Sequence, residues 1–187
     1  AVSSYVLEGT AGKNAFMFVA LAVLVILLLA AVYMIISNRM LGVAASVSML
    51  MALILTEFFA ATFTWLSVDA WAVAGLIAGF ILTVITHMLL LNSINKQYQA
   101  GKGLKDALDA GVLSIRNMIF EIAVVALCLG IALWVSGTNF AFFGLGIMGA
   151  SISAAISAWL FVKPIAKIFI GLGIDQAKCY GLKRGEQ

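Results

Sequence analysis

The chain is predicted to be an all-α polytopic membrane protein with five transmembrane helices. Hydrophobic residues make up 64% of its 187 residues and charged residues only 10%, whereas charged residues make up about a quarter of a soluble domain. Five apolar stretches are each close to the ~20 residues that a helix needs to cross the hydrocarbon core. These stretches cover residues 15–36, 41–66, 71–91, 115–135 and 140–162. Each must be helical, because a single segment in lipid has to hydrogen-bond its own backbone groups.

The cationic residues are segregated across these stretches. If the N-terminus is outside, the inside segments hold ten cations, and the outside holds only Lys13. This bias predicts a multi-pass protein of the cell inner (plasma) membrane with its N-terminus outside and its C-terminus in the cytoplasm. The ten inside cations are Arg39, Lys96, Lys102, Lys105, Arg116, Lys163, Lys167, Lys178, Lys183 and Arg184. They are expected to contact anionic lipid headgroups, and nothing supports nucleic acid as a partner.

Three regions follow from this topology. Residues 1–14 are predicted to be an extracytoplasmic segment, residues 15–163 the five-helix transmembrane domain, and residues 164–187 a cytoplasmic interfacial helix and tail. Pro164 starts the amphipathic stretch that is typical of an interfacial helix. Because the chain begins at Ala1 without a Met, we expect a processed chain or a fragment of a longer one.

The connections between the spans are short, with one exception. Arg39 and Gly42 mark a tight inner turn between the first two spans. The long connection, residues 92–114, is predicted to lie on the cytoplasmic membrane surface. It reads as a helical extension to Gln99, a break at residues 101–103 and a short amphipathic piece.

Small residues recur where helices could approach one another closely. Gly75 and Gly79 form a GxxxG pair, and the fifth span carries a broad face of Gly, Ala and Ser residues. Such faces are typical of helix packing in membranes. A substrate groove along the face of the fifth span is the alternative interpretation.

Three ionisable residues, Glu57, His87 and Glu121, lie within the predicted spans. Each needs a partner, water or protonation, because a charge in the membrane costs a few kcal/mol. At ~1.5 Å per residue, His87 and Glu121 should both lie roughly 8 to 11 Å inside the cytoplasmic face, on consecutive antiparallel helices. Glu57 lies in the outer half. It is predicted to pack against a neighbouring helix or subunit, with lining of an outer cavity as the alternative.

His87 and Glu121 are the proton-relay candidates. Thr83 and Thr86 accompany His87, and Asn117 accompanies Glu121, so a polar seam is predicted along the two helices. The hypothesis is that His87 and Glu121 form a hydrogen-bonded pair that exchanges protons. The alternative is a neutral His87 that bonds a carbonyl group or Glu121 only to satisfy both groups.

Motifs for other chemistry are absent from the sequence. A single His and two distant Cys cannot assemble a usual zinc site. There is no phosphate-binding loop and no nucleophile elbow. The chain is therefore not expected to be an enzyme, and neither a metal nor a cofactor is predicted.

The segment Gln99-Ala100-Gly101-Lys102-Gly103-Leu104-Lys105-Asp106-Ala107-Leu108-Asp109-Ala110-Gly111 resembles the cytoplasmic segment of the SecD/SecF proteins. That segment has the form x-x-G-K-S-x-x-x-A-I-x-A-G between two spans. Further pieces agree in register: Val73-Ala74-Gly75-Leu76, Gly137-Thr138 and Phe161-Val162. The resemblance covers about residues 38–163. Five spans with an outside start match the part of that fold that follows its large extracytoplasmic domain.

The resemblance implies half of an RND-superfamily helical bundle and a function as an accessory membrane subunit of protein export. The implied partners are the bilayer, a SecF-like or other pseudo-symmetric membrane protein, and subunits of the Sec translocon. The family carries an Asp-x-Asn motif in each of two spans. Here the motifs fall on Ile85-Thr86-His87 and Glu121-Ile122-Ala123, which implies either rewired proton coupling or a degenerate structural partner of an active paralogue.

Two functions of other classes remain open. One is an RND-type transporter of small molecules or lipids, which would need a cavity lined by Glu57 and residues 62–65. The other is a non-transporting scaffold whose helices dock onto a larger complex.

Overall fold

A computed structural model of the chain describes residues 12–62, 70–137, 140–174 and 176–182. The described residues form helices, and this confirms the predicted all-α class. The elements are α1 (Gly12–Thr62), α2 (Ala70–Gln99), α3 (Leu104–Val135), α4 (Ala141–Leu160), α5 (Val162–Gly171) and a 3₁₀ turn (Ala177–Tyr180). Most of the predicted extracytoplasmic segment, residues 1–11, lies outside the described residues.

Four helical segments within this described part are long and apolar enough to cross a membrane. They are Leu24–Phe59, Val73–Gln99, Leu104–Val135 and Ala141–Gly171. The predicted count of five is not confirmed, because the first two predicted spans fall within the single helix α1.

Helix α1 reverses direction at Arg39. The backbone there is not helical, with φ 49° and ψ −123°. The Ser46 hydroxyl oxygen lies 3.5 Å from the Ala31 carbonyl oxygen, and a side chain at position 42 would collide with the Met34 backbone. A straight helix would hold Ser46 and Ala31 about 22 Å apart. The two arms of α1, residues 12–38 and 40–62, therefore run antiparallel, and the turn predicted at Arg39 and Gly42 is confirmed.

Three connections meet at one end of the bundle, which we call the cationic end. They are the Arg39 turn, the α2–α3 turn and the α4–α5 junction. Asp109 near the start of α3 forms 3.0 Å ion pairs with Lys163 and Lys167, and the Arg39 guanidinium donates to the Lys178 carbonyl at 2.8 Å. The described cations of this end are Arg39, Lys96, Lys102, Lys105, Arg116, Lys163, Lys167 and Lys178.

The tail packs back onto this end. Tyr180 is fully buried, and its hydroxyl donates to the Ile174 carbonyl at 2.7 Å. Gly181 lies directly against the Asn38 backbone, in a left-handed conformation with φ 70°. Helix α5 buries Val162 and Ala166 on one face. The amphipathic stretch that was predicted to start at Pro164 thus begins two residues earlier. The protein covers only part of its apolar surface, because Ile168 stays 59% exposed.

Helix α4 is the central helix, because its contacts with α1, α2 and α3 together are more extensive than those of any other described helix. Small residues allow these contacts to be close. Gly79 faces the methyl group of Ala150, and Gly75 faces the Phe143 backbone. The packing predicted for the Gly75–Gly79 pair is therefore confirmed, in agreement with the general use of small residues at membrane helix interfaces.

Substitution Gly42→Ala should open the turn of α1. Its Cβ would occupy the space of the Met34 carbonyl group, and overpacking of this kind costs about 1–3 kcal/mol. We expect a corresponding loss in the free energy of unfolding, measured by thermal or denaturant unfolding in detergent. Gly171→Ala is the control, since a Cβ there meets no atom within 4 Å. Equal effects of the two substitutions would contradict the antiparallel arrangement of the arms.

Candidate functional site

The candidate site is a cluster of polar side chains in the core, where the second arm of α1, α2 and α4 meet. Ser48 from α1, His87 from α2 and Ser157 from α4 are each 0% exposed. His87 is the only histidine of the chain. Polar groups in a dry interior must be hydrogen-bonded to one another, because water is not there to replace a missing partner.

Hydrogen bonds connect the three helices through His87. Its Nδ1 lies 2.8 Å from the carbonyl oxygen of Thr83, one turn earlier on α2. Its Nε2 lies 3.0 Å from the Ser48 hydroxyl oxygen, and that hydroxyl lies 2.7 Å from the Ser157 carbonyl oxygen. The imidazole thus fixes the rotation of α2 relative to α1, and Ser48 does the same for α1 relative to α4.

Which group donates in each of these hydrogen bonds depends on the charge of His87. A carbonyl oxygen only accepts, so Nδ1 must carry the proton that is donated to Thr83. In a neutral imidazole Nε2 then accepts from Ser48, whose single proton cannot also reach Ser157. In an imidazolium Nε2 donates to Ser48, and Ser48 donates to Ser157. The Ser48 hydroxyl therefore changes its acceptor when His87 gains or loses a proton.

No carboxylate of the described residues is hydrogen-bonded to this cluster. Helix α4 has no titratable side chain at all, and Glu57 of α1 and Glu121 of α3 are exposed. A cationic His87 would be uncompensated in a dry interior, at a cost of several kcal/mol. The neutral imidazole, with Nδ1 protonated, is the form that these surroundings favour.

The structure does not bring His87 and Glu121 together. Both ring nitrogens of His87 bond other groups, and Glu121 is exposed on α3. The predicted direct hydrogen bond between them is therefore wrong, and the arrangement agrees with the alternative of a neutral His87 that bonds a carbonyl. The depth of the two residues was the basis of the prediction, but the rotation of each helix decides which way the side chain points.

Glu121 and Asn117 instead line an open cleft of about 780 Å³ between α3 and α4. Thr83 and Thr86 are buried, and their hydroxyl groups donate to carbonyls of their own helix, Gly79 at 3.0 Å and Leu82 at 2.8 Å. The polar seam predicted along α2 and α3 is thus divided between the core and the outer surface of the bundle.

Glu57 is exposed on the second arm of α1 and lines neither of the described cavities. Thr62 is exposed and donates to the Phe58 carbonyl at 2.8 Å. The rest of the outer region proposed for a transporter cavity, residues 63–65, lies outside the described residues. The predicted contact of Glu57 with a partner stays a prediction.

Ser48 and Ser157 were not singled out from the sequence. Ser157 stands one turn after Ser153 in the small-residue face of α4, and that face was interpreted as packing alone. A serine within an apolar span can bond its own helix or a neighbouring one, and composition does not distinguish the two. Ser93 and Ser114 form a second such link, from α2 to α3, at 2.8 Å.

Among the described residues, no three His, Cys, Asp or Glu side chains lie close enough to hold a metal ion. Comparison of the chain with protein-family models, curated proteins and solved structures gives no match.

Substitution Ser48→Ala should weaken the contact of α1 with α2 and α4. It removes the hydroxyl group that bonds Nε2 of His87 and lies 2.7 Å from the Ser157 carbonyl oxygen. Interhelical bonds in membranes are worth about 1 kcal/mol, with unsatisfied buried groups adding to the cost. We expect a loss of about 1–2 kcal/mol in the free energy of unfolding in detergent. Ser37→Ala, on the first arm of α1, is the control because Ser37 is exposed.

Imidazole nitrogen NMR gives a second, structural readout, since the chain has one histidine. The proton should reside on Nδ1 in the native chain and in Ser48→Ala alike, because the Thr83 carbonyl remains in place. A proton on Nε2 of neutral His87 would contradict the described geometry.

Proposed function

We propose that the chain is a membrane-embedded accessory subunit of protein export, of the SecD/SecF type, that acts as a structural partner within a larger assembly. The observation that supports this proposal is the placement of residues 99–111. They include the end of α2, a turn with φ 90° at Gly101 and the start of α3. This is a break between two apolar helices at the cationic end of the bundle, where the resemblance requires it.

The two positions that carry the family's relay motifs favour a structural function over an active relay. Ile85 is 45% exposed on α2, while His87 is enclosed by Ser48 and Thr83. Glu121 faces the opposite way, into the cleft between α3 and α4. Proton transfer between the two motif positions would need a chain of polar groups. The small cavity lined by Thr86 and Ile122 contains two hydroxyl groups, those of Thr86 and Ser151. Both donate to carbonyls of their own helices and do not link the two motifs.

The proposal includes five crossings of the inner membrane, with the N-terminus outside and the C-terminus in the cytoplasm. At 1.5 Å per residue, the two arms of α1 are about 40 Å and about 34 Å long. Each is longer than the ~30 Å hydrocarbon core. The antiparallel arms can therefore cross separately, with Arg39 at the same surface as the α2–α3 turn. The cations of the cationic end then face the cytoplasm, as the positive-inside rule requires.

Cysteine accessibility tests these five crossings. In a background without Cys128 and Cys179, Ser37→Cys and Lys102→Cys should react with an impermeant maleimide only from the cytoplasmic side. Ser136→Cys should react only from outside, because α3 separates it from Lys102. All three positions are exposed. Labelling of positions 37 and 102 from opposite sides would show that α1 crosses as one span.

Export measurements test the function. In cells that lack the native copy, a tagged chain should co-purify with translocon subunits. Glu121→Gln should retain at least about 70% of the gradient-dependent export of a secreted reporter, a change of no more than ~0.2 kcal/mol, because Glu121 transfers no proton in this proposal. Gly42→Ala, which disturbs the fold, serves as the loss-of-assembly control.

Two outcomes would contradict the proposal. Absence of translocon subunits from the purified complex would exclude the function in export. Loss of gradient-dependent export in Glu121→Gln, with co-purification intact, would establish an active relay instead of a structural partner.

A further inference from the structure

The cleft between α3 and α4 combines an apolar wall with charged residues at one end. Its volume is about 780 Å³. The polar residues are Arg116, Asn117 and Glu121 of α3, and the rest of the lining is apolar, including Phe120 from α3 and Ile156 and Trp159 from α4. Within the described part of the chain, the side chains of Arg116, Asn117 and Glu121 make no hydrogen bond or ion pair.

The position of Arg116 along α3 places it at the membrane surface. It lies about 28 Å from Val135, the other end of the helix, at 1.5 Å per residue. This distance is close to the ~30 Å thickness of the hydrocarbon core. Arg116 therefore lies at headgroup depth on the cationic end, with its guanidinium free to bind an anion.

The length of the cleft fits one leaflet. Along α3 it extends from Arg116 to Leu127, which is about 16 Å. Half of the hydrocarbon core is ~15 Å. An acyl chain that starts at the level of Arg116 would thus follow the apolar wall to the middle of the bilayer.

Glu121 lies about 7 Å deeper than Arg116. A carboxyl group in hydrocarbon is least costly when it is neutral and hydrogen-bonded. The ester carbonyls of a glycerophospholipid lie below its phosphate and accept hydrogen bonds. The Glu121 side chain would lie beside such a carbonyl while the phosphate is bound by Arg116.

We propose that this cleft binds an anionic phospholipid of the leaflet at the cationic end. The phosphate contacts Arg116 and Asn117, the ester region meets Glu121, and one acyl chain lies between Phe120 and Ile156. Arg is suited to this contact because its planar guanidinium binds phosphate oxygens in pairs, and basic pockets between helices on the cytoplasmic side bind anionic headgroups. The proposal depends on the proposed membrane topology, but it is independent of the function in export.

Native mass spectrometry of the full chain tests the lipid site. The detergent-solubilised protein is titrated with phosphatidylglycerol or with phosphatidylcholine, and bound lipid is counted. We expect a preference for phosphatidylglycerol that Arg116→Gln lowers about fivefold, the factor for one basic contact. Lys105→Gln is the matched control, because Lys105 is an exposed cation of the same helix that does not line the cleft.

A second variant separates the cleft from general surface charge. Ile156→Trp fills the cleft from an exposed position and should reduce binding of both lipids, with unchanged helicity by circular dichroism. An unchanged preference in Arg116→Gln, or unchanged binding in Ile156→Trp, would overturn the proposal.

Photocrosslinking in native membranes identifies the occupant. A benzoylphenylalanine at Val124, which lines the cleft, should yield lipid adducts. Crosslinks to protein instead of lipid would overturn the proposal and assign the cleft to a partner helix. Failure of the lipid site would leave translocon co-purification intact, so it is distinguishable from failure of the proposed function.

Discussion

Close approach of helix backbones at α4 is the constraint on which the rest of the bundle depends. Lipid tails are as apolar as Leu side chains, so helices in a membrane gain little from hydrophobic burial and associate through tight packing. Here glycines on α2 and α3 remove the side chains that would separate the backbones: Gly75 and Gly79 on α2, and Gly130 opposite Gly144 on α3 and α4. The absence of side chains at these glycines therefore sets how closely the helices pack.

The same closeness explains how short hydroxyl side chains of the core reach a neighbouring helix. A serine side chain is short, so Ser48 reaches the Ser157 carbonyl at 2.7 Å only if the two backbones nearly touch. His87 extends farther and bridges to Ser48 where α2 and α1 are less close. Packing and hydrogen bonding therefore depend on each other: a larger residue on α4 would both separate the helices and leave His87 without a complete set of partners.

The sequence predicts structural features that depend on how far a residue lies along a helix. It does not predict features that depend on the rotation of the helix about its axis. A backbone that must satisfy its own hydrogen bonds in lipid predicts the helical class. The local sequence predicts the turn at Arg39 and the break after Gln99. The depth of His87 and Glu121 is also calculable from the rise per residue. Whether the two side chains face each other cannot be calculated in this way. Each residue turns the helix by about 100°, and tertiary packing sets the final angle. Ser48, the partner of His87, and Ser157, the partner of Ser48, were missed for the same reason, since the sequence does not show whether a serine on a packed face bonds its own helix or the next.

The outward direction of Glu121 then has a physical consequence. Arg116 has a long side chain and can extend to water at the membrane surface, but Glu121 is shorter and about 7 Å deeper. In the proposed topology hydrocarbon offers it no hydrogen-bond partner, so a group outside the described chain would supply one. A partner helix would need a donor or acceptor at that single depth. Every glycerophospholipid has ester oxygens at about the depth of Glu121, whatever the rotation of its headgroup. In the proposed topology, the surrounding bilayer is thus chemically able to satisfy Glu121, which the core leaves without a partner.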